Sequence, residues 1–221
     1  MTTEPALRTV VLPPSSDTPP ADRGLVLLHG YGANAADLLP LRDALAPNWT
    51  AVALEAPIDL GPMGMPGGRA WFHISPDPGG GIAYDTEGAE AAIAMLEREI
   101  PKTLEASGLA PERAVVLGFS QGAMLGHGLL LHQRVPIGGL AACSGRMIPE
   151  VFTDEATTPE QFPVFLSHGT LDELIPVASG HAIRAFYERD TPAEVTWCEE
   201  AVGHGIGPDT AAALRGWMQT R

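Results

Sequence analysis

The chain of 221 residues carries 27 acidic against 13 basic side chains, for a formal net charge of -14 and an isoelectric point near 4.7. That balance excludes binding of nucleic acid or of an anionic membrane surface through a basic face. With 45% hydrophobic and 18% charged residues the chain is not disordered, and its length suits one α/β domain, over residues 1–221, better than two well-filled ones.

Residues 1–23 are Pro-rich, hold Glu4 and Arg8, and contain no apolar stretch of signal-peptide length, which reads as a cytoplasmic chain. A first strand is expected within this segment, over Arg8 to Leu12. Strands follow at Leu25 to His29 and Ala51 to Glu55, with a helix at Ala35 to Leu45 between them. Ala56 to Tyr84 then breaks the rhythm with many Gly and Pro residues. The clearest helix is Thr86 to Ala106, where Ala89, Ile93, Leu96, Ile100 and Leu104 fall on one face and Pro101 is a site for a kink. The remaining strands are expected at Ala114 to Gly118, Ile137 to Ala142, Val164 to Ser167 and Glu194 to Cys198. Helices at Gln121 to Arg134, Val177 to Arg189 and Asp209 to Gln219 alternate with them. The pattern is that of a mostly parallel sheet flanked by helices on both faces. No run approaches the roughly 20 apolar residues of a membrane span. Cys143 and Cys198 each end a strand-like run without a second cysteine nearby, and read as buried free thiols.

Gly118-Phe119-Ser120-Gln121-Gly122 carries the most chemistry, because it joins an apolar strand to a helix. In that setting G-x-S-x-G places a serine on a strained turn, with its hydroxyl exposed and the next backbone N–H aimed at a developing oxyanion. Side chains at 118 or 122 would collide where strand and helix approach. A serine hydroxyl is a poor nucleophile until a neighbour takes its proton. In this arrangement the partners follow in the order Ser, acid, His, which leaves His181 and His204 as the bases. His181 belongs to a helical run. His204 lies in Gly203-His204-Gly205, a loop after the last strand, and is preferred. Asp172 is the first carboxylate after the strand ending at Ser167 and would orient the imidazole, with Glu173 beside it as the alternative and a helix cap as its other possible duty. His29-Gly30-Tyr31-Gly32 follows a strand and offers a second donor, so Tyr31 N–H and Gln121 N–H are assigned to the oxyanion hole, with His29 as a brace.

The histidines show neither H-E-x-x-H nor other ligand-like spacing, and Gly79-Gly80-Gly81 does not join a strand to a helix as a phosphate loop does. The reading therefore includes no metal and no cofactor. Two apolar walls are expected at the carboxyl edge of the sheet: Met63, Met65, Trp71 and Phe72 in the irregular segment, and Met147 and Phe152, with Ile148 and Val151, after the strand near Cys143. Core filling is the competing use of Trp71 and Phe72.

Leu28-His29-Gly30-Tyr31-Gly32, the Trp71-Phe72 pair, the Ser120 pentapeptide, His168-Gly169 with Asp172 and Pro176, and Gly203-His204 resemble the phospholipase/carboxylesterase family of α/β-hydrolases, which includes the acyl-protein thioesterases. The resemblance covers roughly Leu25 to Met218. It implies an α/β-hydrolase fold without a large lid domain, a Ser120–Asp172–His204 triad, and a small-molecule ester as partner, with a homodimer allowed. Ala33 and His73 stand where many thioesterases of the family have aspartate, which argues for the bacterial carboxylesterase branch over a protein-palmitoyl substrate. The expected activity is hydrolysis of esters with short to medium acyl chains. The alternatives are an acyl thioesterase or lysophospholipase of the family and, in a different class, a non-catalytic binding protein on the same fold.

Overall fold

A computed structural model of the chain describes residues 7–15, 21–76, 82–152 and 156–221. The Gly79-Gly80-Gly81 run and parts of the Pro-rich N-terminal segment lie outside them. In chain order, β1 (Thr9–Leu12), β2 (Gly24–Leu28), α1 (Leu39–Leu45) and β3 (Thr50–Leu54) lead into two small ribbons. The ribbons pair β4 (Ile58–Asp59) with β5 (Arg69–Ala70), and β6 (Ile74–Pro76) with β7 (Ile82–Tyr84). Then come α2 (Thr86–Ala106), β8 (Ala114–Phe119), α3 (Gln121–His132), β9 (Gly139–Cys143), β10 (Pro163–Gly169), α4 (Val177–Asp190), β11 (Glu194–Glu200) and α5 (Pro208–Met218).

Among the described residues, seven strands form the main sheet in the order β1-β3-β2-β8-β9-β10-β11, and of these only β1 runs antiparallel to its neighbour. The chain steps outward from β2 to β3 and then crosses back to β8, so the carboxyl ends of β2 and β8 lie side by side, with Leu28 in register with Gly118. Ligands of open α/β sheets bind at such a reversal.

Side chains alternate across the strands and make two apolar layers. Val26, Leu28, Val52, Leu54, Val116, Leu140, Val164 and Leu166 pack with α2, α3 and α4. Leu25, Leu27, Ala51, Ala53, Val115, Leu117, Ala141 and Phe165 pack with Leu45 of α1 and with Leu214, Trp217 and Met218 of α5. The central strands are thus covered on both faces, which accounts for their near-continuous apolar sequences. The apolar stripe expected for α2 is buried as read, from Ala89 through Leu104, and the helix runs on past Pro101.

Several boundaries differ from the sequence reading, three of them for evident local reasons. The first helix begins at Leu39, because Asn34 and Asp37 engage nearby backbone N–H groups and Pro40 suits a first turn. α3 stops at His132, where Gln133 turns left-handed at φ 52°. β9 starts at Gly139, after Gly138 N–H has bonded to the Ala114 carbonyl. Cys143 is a buried free thiol, and burial pushes its pKa up to about 11; Cys198 is free and half-buried.

His127 is fully buried in α3, with Nδ1 3.0 Å from the Tyr187 hydroxyl and Nε2 without a partner among the described residues. Burial lowers its pKa to about 3. The unfolded chain takes up a proton below the ordinary histidine range that the folded chain refuses, so stability falls as pH drops from about 6.5 towards 3, by up to ~1.4 kcal/mol per pH unit. Urea titrations across that window are expected to show a shallower acid loss in His127→Gln than in wild type, and identical slopes would remove His127 as the cause.

Candidate active site

β8 delivers the chain to Ser120, whose φ of 53° and ψ of -114° are unusual for a residue with a side chain. Backbone strain of this kind costs about 1–3 kcal/mol and persists only where the surroundings impose it. Here they do. Ser120 N–H donates to the Cys143 carbonyl at 2.9 Å, and the Ser120 carbonyl accepts from Ala123 and Met124 N–H at 3.0 and 3.1 Å. A side chain on Gly118 would overlap the Gly122 carbonyl, and one on Gly122 would overlap the Leu28 carbonyl. The turn is therefore closed to any other residue at both positions.

The three residues that the sequence nominated meet in one hydrogen-bonded chain. His204 Nε2 lies 2.9 Å from Ser120 Oγ, and His204 Nδ1 lies 2.6 Å from Asp172 Oδ2. A carboxylate only accepts, so the ring proton belongs on Nδ1 and the Nε2 lone pair faces the serine hydroxyl. Asp172 is buried, and its Oδ1 accepts from Leu174 N–H at 2.9 Å and Ile175 N–H at 2.8 Å. It thus orders its own loop as well as the imidazole, and α4 starts later, at Val177. Glu173 points away as an exposed residue. His181 sits on the exposed side of α4 against Glu199 and Trp197.

The sequence reading left His168 without a task. It is buried at the end of β10, donates from Nε2 to the Ile175 carbonyl at 2.8 Å, and stands 3.5 Å from Asp172 Oδ2. Its place four residues before the acid was the only signal for this contact. The His204 loop is held from three sides. The Phe119 ring lies 5.0 Å from the imidazole, Ser144 Oγ donates to the Gly205 carbonyl at 3.4 Å, and the Glu200 carboxylate accepts from Asp209 and Thr210 N–H at the start of α5. Those N–H groups, Thr210 first, hold the Glu200 carboxyl below the usual carboxylate range.

Tyr31 N–H has no acceptor among the described residues, and Gln121 N–H, opening α3, has no carbonyl within the helix to bond to. Both residues line the cleft that holds Ser120 and His204. The loop carrying Tyr31 is braced as expected of His29, which donates from Nδ1 to the Gly30 carbonyl at 2.8 Å and accepts from Ala56 N–H at Nε2. Burial lowers the His29 pKa and keeps the ring neutral for that dual role. Gln121 contributes its side chain too: Oε1 accepts from Trp71 N–H and Nε2 donates to the Phe72 carbonyl, both at 2.8 Å. These bonds fasten the irregular segment to the serine turn.

The cleft has a volume of about 280 Å³ and an apolar wall of Ile74, Ile82, Tyr84, Met124, Leu174 and Ile175. The residues expected to form that wall lie elsewhere. Trp71 and Phe72 are 2% and 0% exposed and fill the core, with Trp71 Nε1 donating to the His29 carbonyl. Met63 and Met65 are 58% and 43% exposed outside the cleft lining, because the short turn at Gly61–Met63 carries them outward. Met147 and Phe152 line a separate groove against α4.

The strand order, the serine turn and the pairing of the three side chains define an α/β-hydrolase. Residues 14–218 match the phospholipase/carboxylesterase family, and the chain belongs to that family of carboxylic ester hydrolases. Acyl-protein thioesterase 1 of Kluyveromyces lactis is 28% identical over 190 residues, which cover 79% of this chain and 80% of that protein. Among solved structures, esterase PE8 is 30% identical with a TM-score of 0.79, covering 97% of this chain and 99% of that one. A carboxylesterase from Mesorhizobium loti is 26% identical with a TM-score of 0.76, covering 91% and 90%.

Proposed function

We propose that this chain is a serine carboxylesterase acting on soluble esters of short to medium acyl chains, with Ser120 as nucleophile, His204 as base and Asp172 as the group that orients it. The observation that carries the reading is the continuous Ser120–His204–Asp172 hydrogen-bonded chain opening on a small apolar cleft. His204 removes the hydroxyl proton as Ser120 attacks the ester carbonyl, and the resulting oxyanion is held by Tyr31 and Gln121 N–H. His204 then protonates the departing alcohol. Water enters, gives a proton to the same imidazole, and releases the acid from the acyl-serine. A cytoplasmic location and a single catalytic domain belong to the same proposal, and among the described residues no helix is long and apolar enough to cross a membrane.

A second reading, acyl thioester hydrolysis, is favoured by the fungal relatives named as acyl-protein thioesterases. The two differ in leaving group, so oxygen esters and matched thioesters over a series of acyl lengths separate them. Burying one methylene is worth about 0.8 kcal/mol, so kcat/KM is expected to rise up to about fourfold per carbon until the cleft is full and then to fall. Met124→Ala enlarges the wall and is expected to move the optimum to longer chains. An unchanged optimum would place the acyl group elsewhere, and a preference for thioesters at every length would select the second reading.

A further inference from the structure

A residue outside the triad separates the catalytic cleft from the larger groove beside it. Arg146 follows the β9 turn and is half-buried. It lines the groove shared with Met147, Phe152 and Ile183, while its guanidinium carbon sits 4.7 Å from the centroid of the Tyr84 ring. Tyr84 lines the cleft of Ser120. The backbone just before Arg146 touches the nucleophile turn, since a side chain on Gly145 would meet the Ser120 carbonyl at 3.4 Å.

Most cations of this acidic chain are matched to a carboxylate, as in the pairs of Arg8 and Arg69 with Glu55, Arg134 with Glu97, and Arg184 with Glu188. Arg146 has no carboxylate within ion-pair distance among the described residues. Its hydrogen bond among the described residues runs from Nε to the Met147 carbonyl at 3.3 Å. That bond and the contact with Tyr84 hold the guanidinium in the larger groove, against the ring whose other surroundings include the Ser120 cleft. A guanidinium edge presents two parallel N–H donors that match a carboxylate. Among the described residues the larger groove is lined by no lysine or arginine besides Arg146 and the Ser120 cleft by none, so a single guanidinium charge suits a monoanion better than a phosphate dianion.

We propose that Arg146, seated on Tyr84, is an anion subsite beside Ser120, and that the preferred substrates are esters bearing a free carboxylate a few bonds from the scissile carbonyl. This rests on the esterase reading and narrows its substrate class. The apolar cleft takes the hydrocarbon between ester and carboxylate, and the guanidinium takes the charge.

The test compares the monomethyl esters of succinate, glutarate and adipate with neutral methyl esters of equal chain length, and O-butyrylglycolate with ethyl butyrate, in a pH-stat. Wild type is expected to favour the anionic member of at least one matched pair. Arg146→Gln is expected to lower that anionic-to-neutral ratio of kcat/KM by at least about tenfold, the scale of a charge-assisted hydrogen bond. Arg146→Lys, which keeps the charge and loses the fork, is expected to fall between them, and added salt is expected to reduce the wild-type ratio. A ratio equal in wild type and Arg146→Gln for every pair overturns the proposal. Calorimetry of glutarate against butyrate on Ser120→Ala keeps the subsite testable apart from the chemistry. Tighter glutarate binding that Arg146→Gln abolishes supports the subsite even if no ester is turned over, whereas equal binding of both acids refutes it.

Discussion

Ser120→Ala is expected to lower kcat for a soluble ester on the order of 10⁶-fold, equivalent to about 8 kcal/mol of transition-state stabilisation. The residual rate would come from binding and from the Tyr31 and Gln121 N–H groups proposed as oxyanion donors, which the substitution leaves in place. Alanine retains the Cβ, so the strained turn persists and the variant folds as wild type does. Ser120→Gly separates strain from chemistry. At φ 53° a glycine pays no steric penalty, and the variant is expected to be equally inactive yet more stable than Ser120→Ala by roughly 1 kcal/mol in urea unfolding. A fluorophosphonate probe should label the wild type alone. Labelling of Ser120→Ala, or more than a few per cent of wild-type turnover in it, would remove Ser120 from the role of nucleophile.

The parts of this site that were legible in the sequence are those where backbone geometry leaves one residue type. Gly118 and Gly122 are enforced by carbonyl groups of neighbouring elements, so the strand-turn-helix around Ser120 announces itself. His204 and Asp172 were found through chain order and the ends of β10 and β11, and the parallel sheet converts that order into proximity. The lining of the cleft was not legible. Met63, Met65, Trp71 and Phe72 are apolar residues in an irregular segment, and nothing in such a segment says which side chains turn inward. Gln121 decides it by binding the backbone of Trp71 and Phe72, which puts both rings in the core and leaves Ile74, Ile82 and Tyr84 on the cleft. His168 was equally opaque, since its contact with Asp172 depends on how the loop folds back to present the Ile175 carbonyl.

His204→Ala is expected to reduce kcat by a factor on the order of 10⁶, as large as the loss in Ser120→Ala, while His181→Ala changes it by no more than about twofold. The contrast follows from position. His204 Nε2 is 2.9 Å from the serine hydroxyl, whereas His181 is an exposed residue of α4 paired with Glu199. The double variant Ser120→Ala/His204→Ala should be no worse than either single variant, because the two side chains act as one unit. Asp172→Asn offers an amide N–H where Nδ1 needs an acceptor, which favours the wrong tautomer, and a loss of roughly 10⁴ is expected. The proton inventory also fixes the direction of the pH response. An imidazolium cannot accept the serine proton, so wild-type kcat/KM is expected to fall on the acid side. That acid limb should persist unchanged in His181→Ala. If His181→Ala abolished it, or if His204→Ala retained most of the activity, the base would lie on α4 and the loop after β11 would have another purpose.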